Sequence, residues 1–418
     1  MMNASPVIEP HDVKHTGDSR FFVIGFVLLL AGFLGKSIMP NFSIGALDIL
    51  VLVVVVCCLG GYKFTTRYRF FLLYFVFFIV LLIGTYLNAG NYTVLGLSTL
   101  VQAIVYLKMP LLCAVFISLS PNIVVRLHSS IFPVVKVMLI ASIILVFFEF
   151  LAPATIMLIF PGMVLDTYVS GTDFRRLTGI FYHPTPLSYF SALALIYMYS
   201  FKEELGSKGF VFYMGLCIIL MVVSGQRGEI IFLIFSVLMA FCIVRFAPRF
   251  HSWPKLVSCV LFFLLLFWLN VNSDISFIEG GEVARLVLYL GALDIANLHF
   301  PFGSGLATFG SSASYDSLAY YDTGISDLWW YVGDHNYLTD TFWAMIVGEG
   351  GWLGLAVYIL FLVSFFFFLL SSFSGVCSTA AALFIGLETF TNPIFTGAAF
   401  LSLFGLYIIV VSGVRHGR

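Results

Sequence analysis

Long apolar runs recur along most of this chain, and they restrict its fold more than any other feature of the sequence. Hydrophobic residues make up 61% of the 418 residues, whereas charged residues make up only 10%. A helix that crosses a bilayer needs about 20 mostly apolar residues, and its backbone polar groups must pair within the helix. The sequence therefore predicts an all-α polytopic membrane protein with about twelve transmembrane helices. The predicted spans are 21–38, 44–60, 70–87, 94–119, 131–152, 184–201, 209–224, 229–246, 256–271, 351–372, 376–391 and 396–413.

The distribution of lysine and arginine predicts the orientation of these spans. Most of the 20 basic residues fall in segments that are cytoplasmic when the N-terminus is inside, and short cytoplasmic loops are the ones rich in lysine and arginine. Both termini are therefore predicted to be cytoplasmic. The predicted organisation is a cytoplasmic tail at 1–20, N-terminal spans in 21–152, an outer loop at 153–183, central spans in 184–271, a long outer loop at 272–350, C-terminal spans in 351–413 and a cytoplasmic tail at 414–418. Aromatic residues and a helical pattern over 282–298 predict short helices in the longer loop.

Composition also excludes several classes of function. The net charge of −1 gives no basis for nucleic-acid binding. The seven cysteines lie in or beside apolar segments, so neither a disulfide framework nor a zinc site is predicted. No Asp-x-Asp pair occurs in the two long outer loops, which agrees with a reaction that needs no metal, and we expect no cofactor.

Four arginines fall on the predicted outer side, where basic residues are otherwise scarce: Arg175, Arg176, Arg227 and Arg285. Charge at the edge of the bilayer core is costly and marks a partner or a function. The planar guanidinium group suits diphosphates and carboxylates because it forms bidentate hydrogen bonds. These arginines therefore predict a site for an anion. The alternatives are lipid anchoring by Arg175 and Arg176, and local ion pairs of Arg227 with Glu229 and of Arg285 with Glu282.

Three further segments carry polar groups. Arg285 and Tyr289 lie one turn apart in the helical pattern. The motif Gly303-x-Gly305 predicts tight packing rather than a phosphate loop, because no strand precedes it. In the run Asp334-His335-Asn336 the imidazole is a candidate base near neutral pH, although a lone histidine is often structural. Buried charges need partners, so Glu149 and Glu388 are expected to pair with Lys108, Lys136 or an arginine.

The order of these motifs resembles a known family. The first motif is Arg176-x-x-Gly179, before a span that begins with proline, and the second is Ser224-x-x-Arg227, between two spans. The long outer loop follows, with Arg285 and Pro301-x-Gly303-x-Gly305. The last motifs are His335-Asn336 and Glu349-x-Gly351-x-x-Gly354. This ordered set, over roughly 170–360, resembles the bacterial O-antigen ligase/polymerase family, which comprises the Wzy-type polysaccharide polymerases and the related O-antigen ligases.

The resemblance implies an inverting, metal-independent glycosyltransferase in the bacterial inner membrane. Its donor would be a glycan linked to undecaprenyl diphosphate, and both outer loops would be periplasmic. Under this interpretation Arg176, Arg227 and Arg285 bind the diphosphate, and His335, with Asp334 second, is the catalytic base. Candidates for glycan binding are Tyr289, Asn336, Trp329 and Trp330. Expected partners are the lipid-linked oligosaccharides, membrane lipids, a chain-length regulator and a flippase.

Two other functions remain open at this point. Within the family, a polymerase transfers the glycan to a lipid-linked repeat unit of O-antigen, capsule or exopolysaccharide, whereas a ligase transfers it to lipid A-core. We favour the polymerase. The alternative from another class is a transporter or flippase of polysaccharide precursors, which the many spans and intramembrane charges fit. No internal repeat is visible in the sequence, and this counts against transporter folds built from repeated halves.

Overall fold

A computed structural model describes residues 69–92, 96–118, 121–163, 168, 173–246, 284–332, 338–339, 341–372 and 375–390. All regular secondary structure within these residues is helical. The α-helices are α1 (Arg69–Leu87), α2 (Leu97–Ser118), α3 (Pro121–Leu151), α4 (Pro153–Ile159), α5 (Pro184–Ser200), α6 (Lys202–Val223), α7 (Arg227–Phe246), α8 (Ala284–Leu298), α9 (Ala319–Asp322), α10 (Trp329–Val332), α11 (Phe342–Ser372) and α12 (Val376–Glu388), and a 3₁₀ turn lies at Ile325–Asp327.

Four segments of the described helices are long and apolar enough to cross a membrane: Ile131–Leu151, Lys202–Val223, Arg227–Arg245 and Phe342–Phe366. Their composition and length are those of a helical membrane protein, which confirms the predicted class. Shorter apolar helices cover Phe71–Leu87 and Val376–Glu388. The predicted spans 21–38, 44–60, 256–271 and 396–413 lie outside the described residues.

The observed helix bounds agree with the predicted spans at some ends and differ at others. Helices α1, α5 and α7 match the predicted spans 70–87, 184–201 and 229–246 to within two residues. Helix α3 starts at Pro121 and α6 at Lys202, both before the predicted starts. Helix α11 starts at Phe342, within the segment assigned to the long outer loop, and bends at Gly351, whose φ of 63° is not helical. The sequence predicted a span that begins at 351, whereas the structure has a bend at this residue inside a longer helix.

Helix α5 lies in the largest of the three hydrophobic clusters of the described residues, which also includes side chains of α1, α2, α3, α6, α7, α11 and α12. Nearly all of its residues are buried, and small ones such as Ser188, Ser191 and Ala192 allow neighbouring helices to approach closely. The Ser191 hydroxyl donates to the Leu187 carbonyl at 2.7 Å, which satisfies it inside the apolar core.

Helix α12 runs antiparallel to α5. Phe384 stacks on Tyr189 with ring centroids 5.5 Å apart, and Cys377 near the start of α12 is hydrogen-bonded to Ser200 at the end of α5. The end of α12, with its fully buried Glu388, therefore lies at the same end of the helix bundle as the start of α5.

The second hydrophobic cluster joins α8 to the segment 309–331 and to the first turns of α11. Tyr320 is fully buried there, and its hydroxyl accepts the Gly310 N–H at 2.8 Å. Helix α8 begins close to the predicted start of the helical pattern at 282–298, and the short helices expected in this part of the chain are present as α9 and α10.

Backbone segments approach each other closely where the residues after α8 meet the bend of α11. A Cβ at Gly303 would lie 2.4 Å from the Gly351 nitrogen, and one at Gly305 would lie 2.5 Å from the Thr85 Cα. The N–H of Gly305 donates to the Glu349 carbonyl at 3.0 Å, and the Asn88 side chain donates to the Gly303 carbonyl at 2.9 Å. Gly303-x-Gly305 is thus a packing motif, as predicted from the sequence.

Candidate functional site

The segment that carries Arg176 is held against the end of α3 by a buried carboxylate. Glu149 accepts the N–H of Thr178 at 2.9 Å and the N–H of Gly179 at 3.1 Å, both on Oε2. The Arg175 guanidinium, which the sequence suggested as a lipid anchor, donates to the backbone carbonyl of Glu149. The backbone at Arg176 is therefore flanked on both sides by contacts to one residue of α3.

A tight turn then leads from this segment into α5. Gly179 has a φ of 60°, a left-handed conformation that favours glycine, and a Cβ there would lie 3.3 Å from the Ser142 carbonyl. His183 caps α5: its Nδ1 accepts the Thr185 N–H at 3.3 Å. Pro184 opens the helix, where its missing N–H has no consequence.

The second arginine segment, the turn between α6 and α7, is bonded directly to the first. The N–H of Leu177 donates to the Val223 carbonyl at 3.0 Å, and the Gln226 amide donates to the Thr185 hydroxyl at 2.8 Å. Arg227 is the first residue of α7 and is exposed. These bonds hold Arg227 beside the segment that contains Arg176.

The electrostatics place the third arginine in the same group. Burial is the main cause that lowers the pKa of the Arg176 guanidinium, and the charges of Arg227 and Arg285 lower that pKa further. The carboxylate of Glu229, which is buried, opposes this shift. A charge acts on a pKa in this way only when it lies near the titrating group, so Arg227, Arg285 and Glu229 all lie near Arg176. We call these four residues the arginine cluster.

The arginine cluster is arranged to receive an anion. The Nε of Arg176 is buried and has no hydrogen-bond partner within the described part of the chain. The charges of Arg227 and Arg285 both disfavour the charged form of Arg176, and Glu229 favours it. A ligand with two or more negative oxygens would satisfy the Nε donor and offset the repulsion.

Helix α8 carries Arg285 and is fixed to the end of the bundle where α5 begins and α12 ends. The contact is made by Tyr289, one helical turn after Arg285. The Tyr289 hydroxyl donates to the Phe390 carbonyl, which follows α12, at 3.2 Å. The indole of Trp343 at the start of α11 donates to the Thr389 hydroxyl at 3.1 Å. The hydroxyl of Tyr289, a candidate for glycan binding, thus makes a bond within the fold.

The other predicted site residues are not placed by the structure. Trp329 and Trp330 begin α10, but their side chains lie outside the described part. Asp334, His335 and Asn336 also lie outside it.

Two buried glutamates have partners that the sequence did not indicate. The Glu149 carboxylate accepts hydrogen bonds from backbone N–H groups, and the charge of Arg175 also acts on it, so an arginine is near Glu149 as expected whereas its backbone partners were not. Glu349 is fully buried in the first part of α11 and accepts from Tyr106 at 2.7 Å, Gln102 at 3.2 Å and Ser311 at 3.3 Å. Backbone donors leave no pattern in a sequence, and the donors to Glu349 come from segments far apart in the chain.

Within the described ranges no group of three or more histidine, cysteine, aspartate or glutamate side chains could hold a metal ion. No protein-family model matches the chain. A search of curated proteins finds no significantly similar sequence.

Proposed function

We propose that the chain is a polysaccharide polymerase of the bacterial inner membrane, an inverting glycosyltransferase that uses a glycan linked to undecaprenyl diphosphate and needs no metal. The observation that carries this proposal is the arginine cluster. It joins Arg176, Arg227 and Arg285, which come from three separate segments, within a fold of apolar helices. The proposed topology has about twelve spans with the cluster at the periplasmic face.

The proposed reaction makes one bond and breaks one bond. An acceptor hydroxyl attacks the anomeric carbon of the donor, and the bond between that carbon and the diphosphate oxygen breaks. Undecaprenyl diphosphate leaves, and His335, with Asp334 beside it in the sequence, takes the hydroxyl proton. The acceptor is the next lipid-linked repeat unit.

Charge develops on the diphosphate as the glycosidic bond breaks, so cations aimed at its oxygens stabilise the transition state. A charge-assisted hydrogen bond contributes about 1.5–3 kcal/mol, which corresponds to roughly 10- to 150-fold in rate per arginine. Arg176 is partly buried, and this strengthens the interaction because water screens its charge less than at a fully exposed position.

The test is complementation of a gene deletion, with surface polysaccharide resolved on a gel. Arg176→Ala, Arg227→Ala and Arg285→Ala should each remove the ladder of chain lengths while single repeats remain. Arg245→Ala is the matched control, because Arg245 is exposed near the other end of α7, roughly 27 Å from Arg227 at 1.5 Å per residue. Its ladder should be normal.

Normal ladders in the three cluster variants at normal protein levels would contradict the proposal. Loss of all polysaccharide attached to lipid A-core, with the chains still made, would instead identify a ligase. Precursors that remain on the cytoplasmic side would identify a flippase.

A further inference from the structure

His183 lies beside the arginine cluster but has no role in the proposed reaction so far. Burial first, and then the charge of Arg176, lower the pKa of His183 to about 4. The imidazole is therefore neutral at physiological pH, and the charge of Arg176 contributes to this. Arg227, Arg285 and Glu229 in turn act on Arg176 through their charges.

The hydrogen bond at Nδ1 fixes the tautomer of this neutral ring. Nδ1 accepts the Thr185 N–H at 3.3 Å, so it cannot carry the proton. The proton is then on Nε2, and Nε2 is a donor. The hydroxyl of Thr185 accepts a hydrogen bond from the Gln226 amide at 2.8 Å. This bond connects the start of α5 to the turn that carries Arg227.

We propose that His183 is a further substrate-binding residue of this site and donates its Nε2–H to an oxygen of the bound diphosphate. The inference rests on the proposed function, because it requires a diphosphate in the arginine cluster. The positive end of the α5 dipole lies at the same place and favours a negative group there.

A neutral donor suits this position better than another cation would. Arg227 and Arg285 already disfavour the charged form of Arg176, and a fourth positive charge would add to that repulsion. The Nε2–H adds a hydrogen bond to the anion without this penalty. It also cannot act as the base for the acceptor hydroxyl, since both ring nitrogens are already committed.

Two substitutions separate this role from helix capping. In His183→Asn the side-chain oxygen replaces Nδ1 as the acceptor, and asparagine is a good N-cap residue, but the Nε2 donor is lost. In His183→Gln the side-chain amide reaches the Nε2 position and keeps a donor, while the cap is weakened.

The measurement is the affinity of the purified full-length protein in detergent for farnesyl diphosphate, with thermal unfolding as a check on folding. We expect His183→Asn to bind roughly tenfold more weakly with an unchanged Tm, because one hydrogen bond to a charged group is lost. We expect His183→Gln to bind within about twofold of the wild type with a lower Tm.

The Arg227→Ala variant is the reference in the same assay. If Arg227→Ala weakens binding and His183→Asn does not, the role of His183 is wrong and the proposed function stands. If the wild type does not bind farnesyl diphosphate, or Arg227→Ala binds it as well as the wild type, both proposals are overturned.

Discussion

Replacing Glu149 by alanine should release the segment that positions Arg176. The Glu149 carboxylate accepts the backbone N–H groups of Thr178 and Gly179, and alanine removes both acceptors. A buried donor that loses its acceptor costs about 1–3 kcal/mol. Two such donors predict a loss of about 2–6 kcal/mol in the free energy that holds this segment against α3.

The matched variant is Glu149→Gln. Both N–H groups contact Oε2, at 2.9 and 3.1 Å, and the Thr178 N–H also lies 3.1 Å from Oε1. An amide oxygen at the Oε2 position can accept both bonds, so the losses are the charge and the second contact of the Thr178 N–H. We therefore expect the glutamine variant to lose about 1 kcal/mol.

Thermal unfolding in detergent and farnesyl diphosphate binding measure the two consequences. Glu149→Ala should lower the Tm and weaken binding, because Arg176 is then no longer fixed beside Arg227. Glu149→Gln should remain close to the wild type in both measurements. Equal losses in the two variants, or a normal alanine variant, would show that backbone capping by Glu149 does not position this segment.

Three further predictions concern stability. Gly351→Ala should destabilise the protein by more than about 2 kcal/mol, because φ is 63° and the new Cβ would lie 2.3 Å from the Gly303 nitrogen. Gly354→Ala is the control and should leave the Tm unchanged, because the atom nearest to its new Cβ would lie 3.6 Å away. The folded-state pKa of His183 is about 4, below its usual 6.5. The contribution of the neutral imidazole to the free energy of unfolding is therefore complete above pH 6.5. It declines as the pH falls toward 4, by at most about 3 kcal/mol. Melting curves from pH 8 to 4 should show this decline in the wild type but not in His183→Asn, and parallel curves would contradict it. Glu349→Ala should lower the Tm more than Glu349→Gln, because alanine leaves three side-chain donors without their acceptor.

Local signals in the sequence predicted the helices that they mark directly. The apolar run at 70–87 is the helix Arg69–Leu87, and the prolines at 184 and 186 mark the start of α5. The start of α11 was missed, because residues 342–350 were assigned to the long outer loop. The bend at Gly351 exists because the backbone of Gly303 approaches it, and this approach depends on residues far apart in the chain.

The site shows the same division between local and long-range information. The cost of exposed charge near a bilayer singled out Arg176, Arg227 and Arg285 from the sequence, and the structure brings them together. The sequence did not indicate that His183 belongs with them, because that depends on a cap and on the fold of the neighbouring turn. The backbone partners of Glu149 were missed for a related reason, since every residue except proline carries a backbone N–H and the sequence does not show which of them is close.

The two largest hydrophobic clusters have a consequence for how the arginine cluster would respond to its ligand. The segments of Arg176 and Arg227 pack with the largest cluster, whereas the helix of Arg285 packs with the second, and α11 contributes side chains to both. An anion held by all three arginines would act as a non-covalent cross-link between the two clusters, in addition to α11. Occupancy of the site would then favour joint unfolding of the two clusters over stepwise unfolding, so the empty protein is the less cooperative of the two states.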